Sequence, residues 1–292
     1  MFYAISCFVL WGLFPLYFKL LREVNSFDIV LQRIVWSLIF LLIVLGWRRQ
    51  WSWLGPVMRQ PRVLLGFMAS ALLLASNWTL YIWAVNSGRI VDASLGYFMS
   101  PLLSVLLGAV ILKERLRALQ WLSVALALGA VLWLTWMNGV LPWIGMLVAA
   151  TFALYGLLRK TAQLGALQGL ALETILLAPL ALVILAVMAW HGNNGFVQAS
   201  AGLKLLLALS GPVTAIPLLL FARGARAIPL SLLGLLQYIT PTMLLLTGVF
   251  IYHEPFGGVR QTGFIVIWAA LAVYSLEGLW RMWADKPRLA QT

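Results

Sequence analysis

Charge, cysteine and histidine are all scarce in this sequence. Only 10% of its 292 residues are charged, and it contains one cysteine, Cys7, and two histidines, His191 and His253. One cysteine excludes an intramolecular disulfide and a cysteine metal cluster. No glycine-rich phosphate-binding motif occurs, which argues against ATP-driven pumping. The two histidines are far apart and have no carboxylate cluster beside them, so we predict no catalytic set, no metal and no cofactor.

Long apolar runs take the place of the missing polar residues. Hydrophobic residues make up 63% of the chain, and a helix of about 20 apolar residues can cross the hydrocarbon core of a bilayer. The alternating ten-residue strands of a membrane barrel do not occur. We therefore predict an all-α polytopic membrane protein surrounded by the lipid bilayer. Ten runs predict spanning helices, at residues 2–21, 28–47, 63–85, 92–112, 118–136, 141–158, 168–189, 203–222, 229–251 and 259–281.

The basic residues lie mainly at the predicted helix ends. The formal net charge is +12, and fourteen lysines and arginines fall in loops on one side against five on the other, with Arg33 inside a helix. The positive-inside rule places the basic side, and with it both termini, in the cytoplasm. The charge therefore indicates orientation in a cell inner membrane and not a nucleic-acid partner. The first run has no charged segment before it, so we predict no cleavable signal peptide.

One segment of the chain recurs at an offset of 140 positions. Residues 94–116 match residues 234–256, so that Ser100-Pro101 falls on Thr240-Pro241 and Glu114 falls on Glu254. A gap-free match of this length predicts that the chain contains one module twice.

The duplication predicts two five-helix repeats, over residues 1–137 and 138–292. Because five is odd, the second repeat enters the membrane upside down, which gives an inverted-topology repeat. Two near-equivalent halves can pack in two arrangements, one open to each side of the membrane. Alternating access by a secondary transporter needs such a pair of states.

Several motifs resemble those of a known family: WGLFPLYFKL (11–20), QRIVWS (32–37), NWTLYIWAVNSG (77–88), ASLGYFMSPLLSVLLG (93–108) and LLQYITPT (235–242). The resemblance is to the RarD branch of the EamA-type drug/metabolite transporters, and it extends over nearly the whole chain. It implies a ten-helix inner-membrane permease of two EamA repeats, linked with chloramphenicol resistance or sensitivity, and it favours export.

Two prolines fall near the middle of predicted helices 4 and 9. Pro101 and Pro241 cannot donate to the carbonyl four residues earlier, so each is expected to kink its helix. Transporter sites favour interrupted helices near the midplane, and we predict a solute cavity there. The alternative is that both prolines are packing kinks. The polar residues around them that we expect to line the cavity are Ser94, Tyr97, Ser100, Gln237, Tyr238 and Thr240.

Arg33 and Glu173 are ionisable residues inside predicted helices, where a charge costs about 2.5–3.5 kcal/mol on insertion scales. We expect Arg33 to attract an anionic or carbonyl-bearing solute, with Trp36 one turn further on as a stacking surface. Glu173 can hold a cation or a transported proton. The inverted repeat separates the two charges by about 15 Å of depth, so we expect no salt bridge between them. The alternative for both is snorkelling or capping by carbonyls.

Helix 3 carries Asn77 and Tyr81 on one face. Asn77 can bind a solute or join two helices by a hydrogen bond. We predict a monomeric secondary transporter for a small amphipathic organic molecule. A channel or facilitator without coupling is the alternative, and a membrane-embedded enzyme is a more distant one.

Overall fold

The computed structural model describes residues 1–86, 90–138 and 143–251, together with a few positions between 258 and 272. These residues form helices and no strand. Eight stretches among them are long and apolar enough to cross a membrane, which confirms the all-α, multi-span prediction. The tenth predicted helix, 259–281, lies mostly outside the described residues, so the count of ten stays a prediction. The helices are α1 (Phe2–Gly12), α2 (Phe14–Lys19), α3 (Ser26–Trp47), α4 (Leu54–Met58), α5 (Pro61–Asn86), α6 (Ile90–Val110), α7 (Ala118–Asn138), α8 (Trp143–Thr161), α9 (Ala166–Trp190), α10 (Gly195–Gln198), α11 (Ala201–Ala227), α12 (Leu230–Leu236) and α13 (Ile239–Leu246).

Three helices of the first half begin 140 residues before three helices of the second half. One of these pairs, α3 and α9, also ends in a similar way. Arg49, two residues after α3, and Gly192, two residues after α9, both have positive φ values, of 51° and 70°, as is common just after a helix C-terminus. The pairs of helix starts are Ser26 with Ala166, Pro61 with Ala201, and Ile90 with Leu230.

The packing partners of the helices recur in the same pairs. α3 packs against α11, and its counterpart α9 packs against α5, the counterpart of α11. At the 140-residue offset, α8 takes the place of α1, and α12 with α13 takes the place of α6. In the same way, α1 packs against α11 and α13, while α8 packs against α5 and α6. α3 with α9, and α6 with α12, are contacts between counterparts. Exchanging each helix for its counterpart therefore leaves this set of contacts unchanged.

Basic residues gather at one end of the bundle, which we call the basic end and define by Arg48, Lys160 and Arg226. Lys160 donates to the carbonyls of Ala225 and Ile228, and Arg226 donates to that of Leu164. The end of α8, the start of α9 and the end of α11 therefore meet there.

The loop after α6 joins the basic end through Glu114. Its carboxylate accepts the N–H groups of Leu230 and Ser231 at the start of α12, at 2.8 and 3.0 Å, and lies 3.9 Å from Lys160 Nζ. Burial raises the pKa of Glu114, but the N–H groups of Leu230 and Ser231, the Ser231 hydroxyl and the Lys160 cation together outweigh burial and hold the pKa below its usual value. Backbone N–H groups are thus nearer partners of the Glu114 carboxylate than the Lys160 cation is.

At the opposite end, Asp28 at the start of α3 accepts the N–H of Gly195, and the Tyr17 hydroxyl donates to the Leu206 carbonyl. α3 runs from this end to the basic end, and α9 runs back antiparallel to it.

Two residues that we expected in a loop lie within a helix. We expected Arg159 and Lys160 between predicted helices 6 and 7, but α8 continues to Thr161, and Arg159 is only 1% exposed. The helix can continue because Arg159 finds a buried carboxylate partner, described below.

The two central prolines act differently. α6 continues through Pro101, whereas the matching stretch of the second half is divided into α12 and α13 at Gln237 and Tyr238. Pro241 then lies in the first turn of α13, where its missing N–H removes no intrahelical bond. A π-helical turn, Thr247–Ile251, follows.

Candidate functional site

Arg33 lies two turns into α3 and is 3% exposed. Its Nε donates to Thr214 Oγ1 on α11 at 2.9 Å. Its guanidinium lies 4.4 Å from the ring centre of Trp78, 5.0 Å from Phe18 and 5.9 Å from Phe14. Within the described part of the chain, no carboxylate forms an ion pair with it. The positive charge is therefore held by aromatic faces and one hydroxyl.

Three tyrosines interact electrostatically with the same guanidinium. Tyr17, Tyr81 and Tyr97 all lie within range of electrostatic interaction with Arg33, and the rings of Tyr81 and Tyr97 meet edge to face at 5.3 Å. We call Arg33 with these three tyrosines and Trp78 the Arg33 cluster. It combines one cation, hydroxyl groups and flat apolar surfaces, which can together hold a carboxylate or carbonyl and the apolar body attached to it.

Trp36 lies one turn beyond Arg33 but has other contacts. Its Nε1 donates to Gln32 Oε1 at 3.1 Å, and its ring packs against Phe196 at 5.7 Å. The aromatic surfaces over Arg33 come from Trp78 and Phe18 instead. Solute stacking by Trp36 stays a prediction.

Glu173 lies two turns into α9 and is 1% exposed. Its Oε1 accepts Ser70 Oγ at 2.5 Å and lies 3.4 Å from Arg159 Nη1. Its Oε2, the Nε of Arg159 and the hydroxyl of Tyr155 are buried without a hydrogen-bond partner among the described residues. We call these four residues the Glu173 cluster. The ion pair of Glu173 is thus with Arg159 and not with Arg33.

A small cavity lies between the two clusters. Its volume is about 10 Å³, and Glu173 and Trp78 are both among its lining residues. A space of this size holds about one water molecule. Trp78 therefore borders both the guanidinium of Arg33 and the space beside the Glu173 carboxylate.

Asn77 joins two helices. Its Nδ2 donates to the Val148 carbonyl at 2.8 Å and to Thr151 Oγ1 at 3.0 Å, both on α8. These bonds favour the structural alternative for Asn77. Its neighbour Tyr81, one turn away on the same face, belongs to the Arg33 cluster.

The residues around the two prolines form a separate polar seam between α6, α12 and α13. Gln237 Oε1 accepts Ser104 Oγ at 3.0 Å, and Thr240 Oγ1 donates to the Phe8 carbonyl at 2.9 Å. The hydroxyls of Ser100 and Tyr238 are buried without a described partner.

Most of the predicted site residues thus fall into three sets: the Arg33 cluster, the Glu173 cluster and this seam. Tyr97, on α6 with Ser100 and Pro101, belongs to the first set. Ser94 lies on α6 as well, but its side chain is outside the described part of the structure. No three His, Cys, Asp or Glu side chains in that part could share a metal ion.

The site residues predicted from the sequence did not include Thr214, which accepts the Arg33 hydrogen bond, or five members of the clusters: Tyr17, Trp78, Ser70, Tyr155 and Arg159. Arg159 had a readable signal, since it falls at the end of an apolar run together with Lys160. The hydroxyl residues had none, because serine, threonine and tyrosine are common in membrane helices and only packing shows which of them meets a charge.

The chain is similar to known transporters over nearly its full length. The EamA-like transporter family matches residues 1–136. An uncharacterized transporter of Pseudomonas aeruginosa is 45% identical over 288 residues, covering 99% of this chain and 95% of that protein. Protein RarD of Escherichia coli is 39% identical over 277 residues, covering 95% of this chain and 94% of its own.

A solved crystal structure shares the fold. It superimposes with a TM-score of 0.67, at 19% identity, over 94% of this chain and 96% of the other. At this identity the likeness concerns the fold alone.

Proposed function

Because this chain belongs to the RarD branch of the EamA-like transporter family, we propose that it is a secondary transporter that moves a small organic solute by alternating access. The family makes it a multi-pass membrane transporter and not an enzyme. The solute, the mechanism and the direction are our proposal. The observation that carries it is the Arg33 cluster, a buried cation held by rings and hydroxyls.

The chemistry of that cluster indicates the class of solute. A buried guanidinium is stabilised by an anion or a strong hydrogen-bond acceptor, and its planar donors match a carboxylate. Trp78 and Phe18 offer flat apolar surfaces beside it. We infer a small amphipathic molecule with a carboxylate or carbonyl group next to an apolar body.

Alternating access follows from the duplication. The paired helix starts and paired contacts support two repeats, over residues 1–137 and 138–292, related by inversion. In such an arrangement the contacts that close one end have counterparts that can close the other. Glu114 ties the loop after α6 to the start of α12, and this contact is our candidate for a gate between α6 and α12 at the basic end.

Orientation and direction complete the proposal. The basic end faces the cytoplasm of a cell inner membrane by the positive-inside rule, so both termini are cytoplasmic. Arg33 then lies toward the outer half of the bilayer and Glu173 toward the inner half. Similarity to RarD proteins favours export.

Transport into vesicles tests the proposal. We expect the purified protein in lipid vesicles to show saturable counterflow for carboxylate-bearing members of a metabolite panel that also contains chloramphenicol. Arg33→Gln removes a charge-assisted contact of about 1.5–3 kcal/mol, so KM should rise about 10- to 100-fold. Arg33→Lys keeps the charge but loses the planar donors, so its KM should lie between those of the wild type and Arg33→Gln.

Arg59→Gln is the matched control, because Arg59 is exposed and distant from the cluster. Its KM should equal that of the wild type. Unsaturable flux would indicate a channel, and covalent change of a panel member would indicate an enzyme. An unchanged KM in Arg33→Gln would refute the binding site.

Glu173 is our candidate for proton coupling, since its Oε2 has no described hydrogen-bond partner and is not tied to Arg159. We expect Glu173→Gln to abolish accumulation driven by a pH gradient. Counterflow, which needs no net proton movement, should continue and show that the variant is folded. Full gradient-driven uptake with an unchanged pH profile would rule out this role.

A further inference from the structure

A groove of about 560 Å³ opens at the basic end between α3, α9 and α11. Its polar wall includes Arg48, Arg223 and Arg226, and we call it the arginine groove. No residue of the Arg33 cluster or of the Glu173 cluster lines it. It is therefore a site separate from the proposed solute pathway.

The arginine groove is positively charged and has no acidic lining residue. Arg226 donates to the Leu164 carbonyl at 2.6 Å, and the Arg223 guanidinium lies 5.6 Å over the Tyr3 ring. Both contacts orient the arginines without neutralising them. Three like charges around one concave surface repel each other, and an anion in the groove relieves that repulsion.

Apolar residues continue the groove toward the membrane. Val44 lines it one turn before Arg48 on α3, and Leu219 does so one turn before Arg223 on α11. Ile43 and Ile216 beside them are 64% and 44% exposed, as expected of side chains that face lipid. The groove thus has a cationic part at the helix ends and an apolar part within the spanning region.

This arrangement matches a phospholipid better than a free anion, because a free anion has nothing to place against the apolar part. Basic pockets between membrane helices bind anionic lipid headgroups. We propose that the arginine groove binds the headgroup phosphate of an anionic phospholipid, with an acyl chain along Val44 and Leu219. This site does not depend on the identity of the transported solute.

Native mass spectrometry of the detergent-purified protein tests the proposal, with phosphatidylglycerol and phosphatidylcholine of identical acyl chains as probes. We expect phosphatidylglycerol to bind more tightly. Arg48→Gln and Arg223→Gln should each weaken its binding about fivefold, and the double variant about 25-fold, since each basic residue near such a surface contributes a similar factor. Phosphatidylcholine binding should change little.

Arg59→Gln and Arg62→Gln are matched controls, because both remove a charge from the same predicted face of the membrane without touching the groove. They should bind phosphatidylglycerol as the wild type does. Equal affinity for the two lipids, or an equal loss in the controls, would overturn the proposal.

Inorganic phosphate and glycerol phosphate distinguish a free anion from a lipid. Neither should displace phosphatidylglycerol at equal concentration, and displacement by either would overturn the assignment to a lipid. If the double glutamine variant does not fold, Arg48→Lys with Arg223→Lys keeps both charges and should keep the lipid preference. Loss of the preference in the folded lysine variant would also contradict the proposal.

Discussion

The buried pair of Arg159 and Glu173 allows a quantitative test of what stabilises this fold. Both side chains are almost fully buried, at 1% and 2% exposure, and Nη1 lies 3.4 Å from Oε1. Removing one partner of a buried pair leaves the other charge uncompensated and costs about 3–5 kcal/mol. In Glu173→Gln the amide oxygen can still accept Ser70, so we expect the lower value, about 3 kcal/mol. We expect a similar loss from Arg159→Gln.

Replacing both charges should lower the free energy of unfolding much less than replacing either one alone. The 3.4 Å separation is long, and Glu173 Oε2 and Arg159 Nε have no described hydrogen-bond partner. The attraction between the charges therefore only partly offsets their desolvation. We expect the double glutamine variant to lose about 1 kcal/mol, in line with buried pairs that can be replaced at little cost. A double-mutant cycle on the free energy of unfolding in detergent micelles measures the difference.

Lys160→Gln is the matched control, since it removes the neighbouring cation of α8. The pair of Lys160 with Glu114 spans 3.9 Å and is partly exposed, at 21% and 17%, and such pairs contribute about 0–1 kcal/mol. Losses in the two single Arg159 and Glu173 variants that simply add in the double variant would refute the reasoning. A Glu173→Gln variant as stable as the wild type would show that Glu173 is not ionised in the pair.

Two further predictions concern other helix contacts. Gly211→Ala should lose about 2 kcal/mol of unfolding free energy, because its Cβ would clash with the Trp36 carbonyl. Gly202→Ala on the same helix is the control, because its Cβ would have no atom within 4 Å and the change should be neutral or slightly stabilising. Equal effects of the two substitutions in thermal unfolding would contradict this prediction. Glu114→Gln loses the charge that the N–H groups of α12 stabilise. That interaction lowers the pKa of Glu114. Its contribution to the free energy of unfolding is therefore complete above the ordinary pKa of about 4.3 and disappears as pH falls through the lowered value. The difference in melting temperature between wild type and this variant should therefore be constant from pH 8 to about pH 5 and shrink only below about pH 4, and a difference that vanishes by pH 6 would disprove the assignment.

The long apolar runs were enough to predict the helices and their order. Nine of the ten predicted spans correspond to helices or helix pairs among the described residues, because a segment in lipid must satisfy its backbone internally and can do so only as a helix. The error at Arg159 has the same origin. Hydropathy ends a span at the first charge, but a helix continues if that charge is paired inside the protein.

The 140-residue offset applies to helix positions beyond the repeated sequence motif. It extends to the starts of α3, α5 and α6, where the residue types of the two halves differ: Ser26 corresponds to Ala166, and Pro61 to Ala201. The helices keep the same offset although these side chains differ, because helix length and packing tolerate many apolar substitutions.

The residues of the candidate site could be predicted only in part. Arg33 and Glu173 were readable, because charge is rare within a membrane helix and its presence there needs a reason. Their partners were not, since Thr214, Ser70 and Trp78 come from other helices and carry no distinctive local pattern.

The sequence by itself determined the class of this protein and its spanning segments, and it predicts a doubled architecture, because these features depend on composition and spacing along one chain. Tertiary structure alone decided that Glu173 pairs with Arg159, that aromatic rings hold Arg33, and that Asn77 joins α5 to α8. Such contacts depend on helix rotation and depth, which side-chain packing sets and which no single segment encodes.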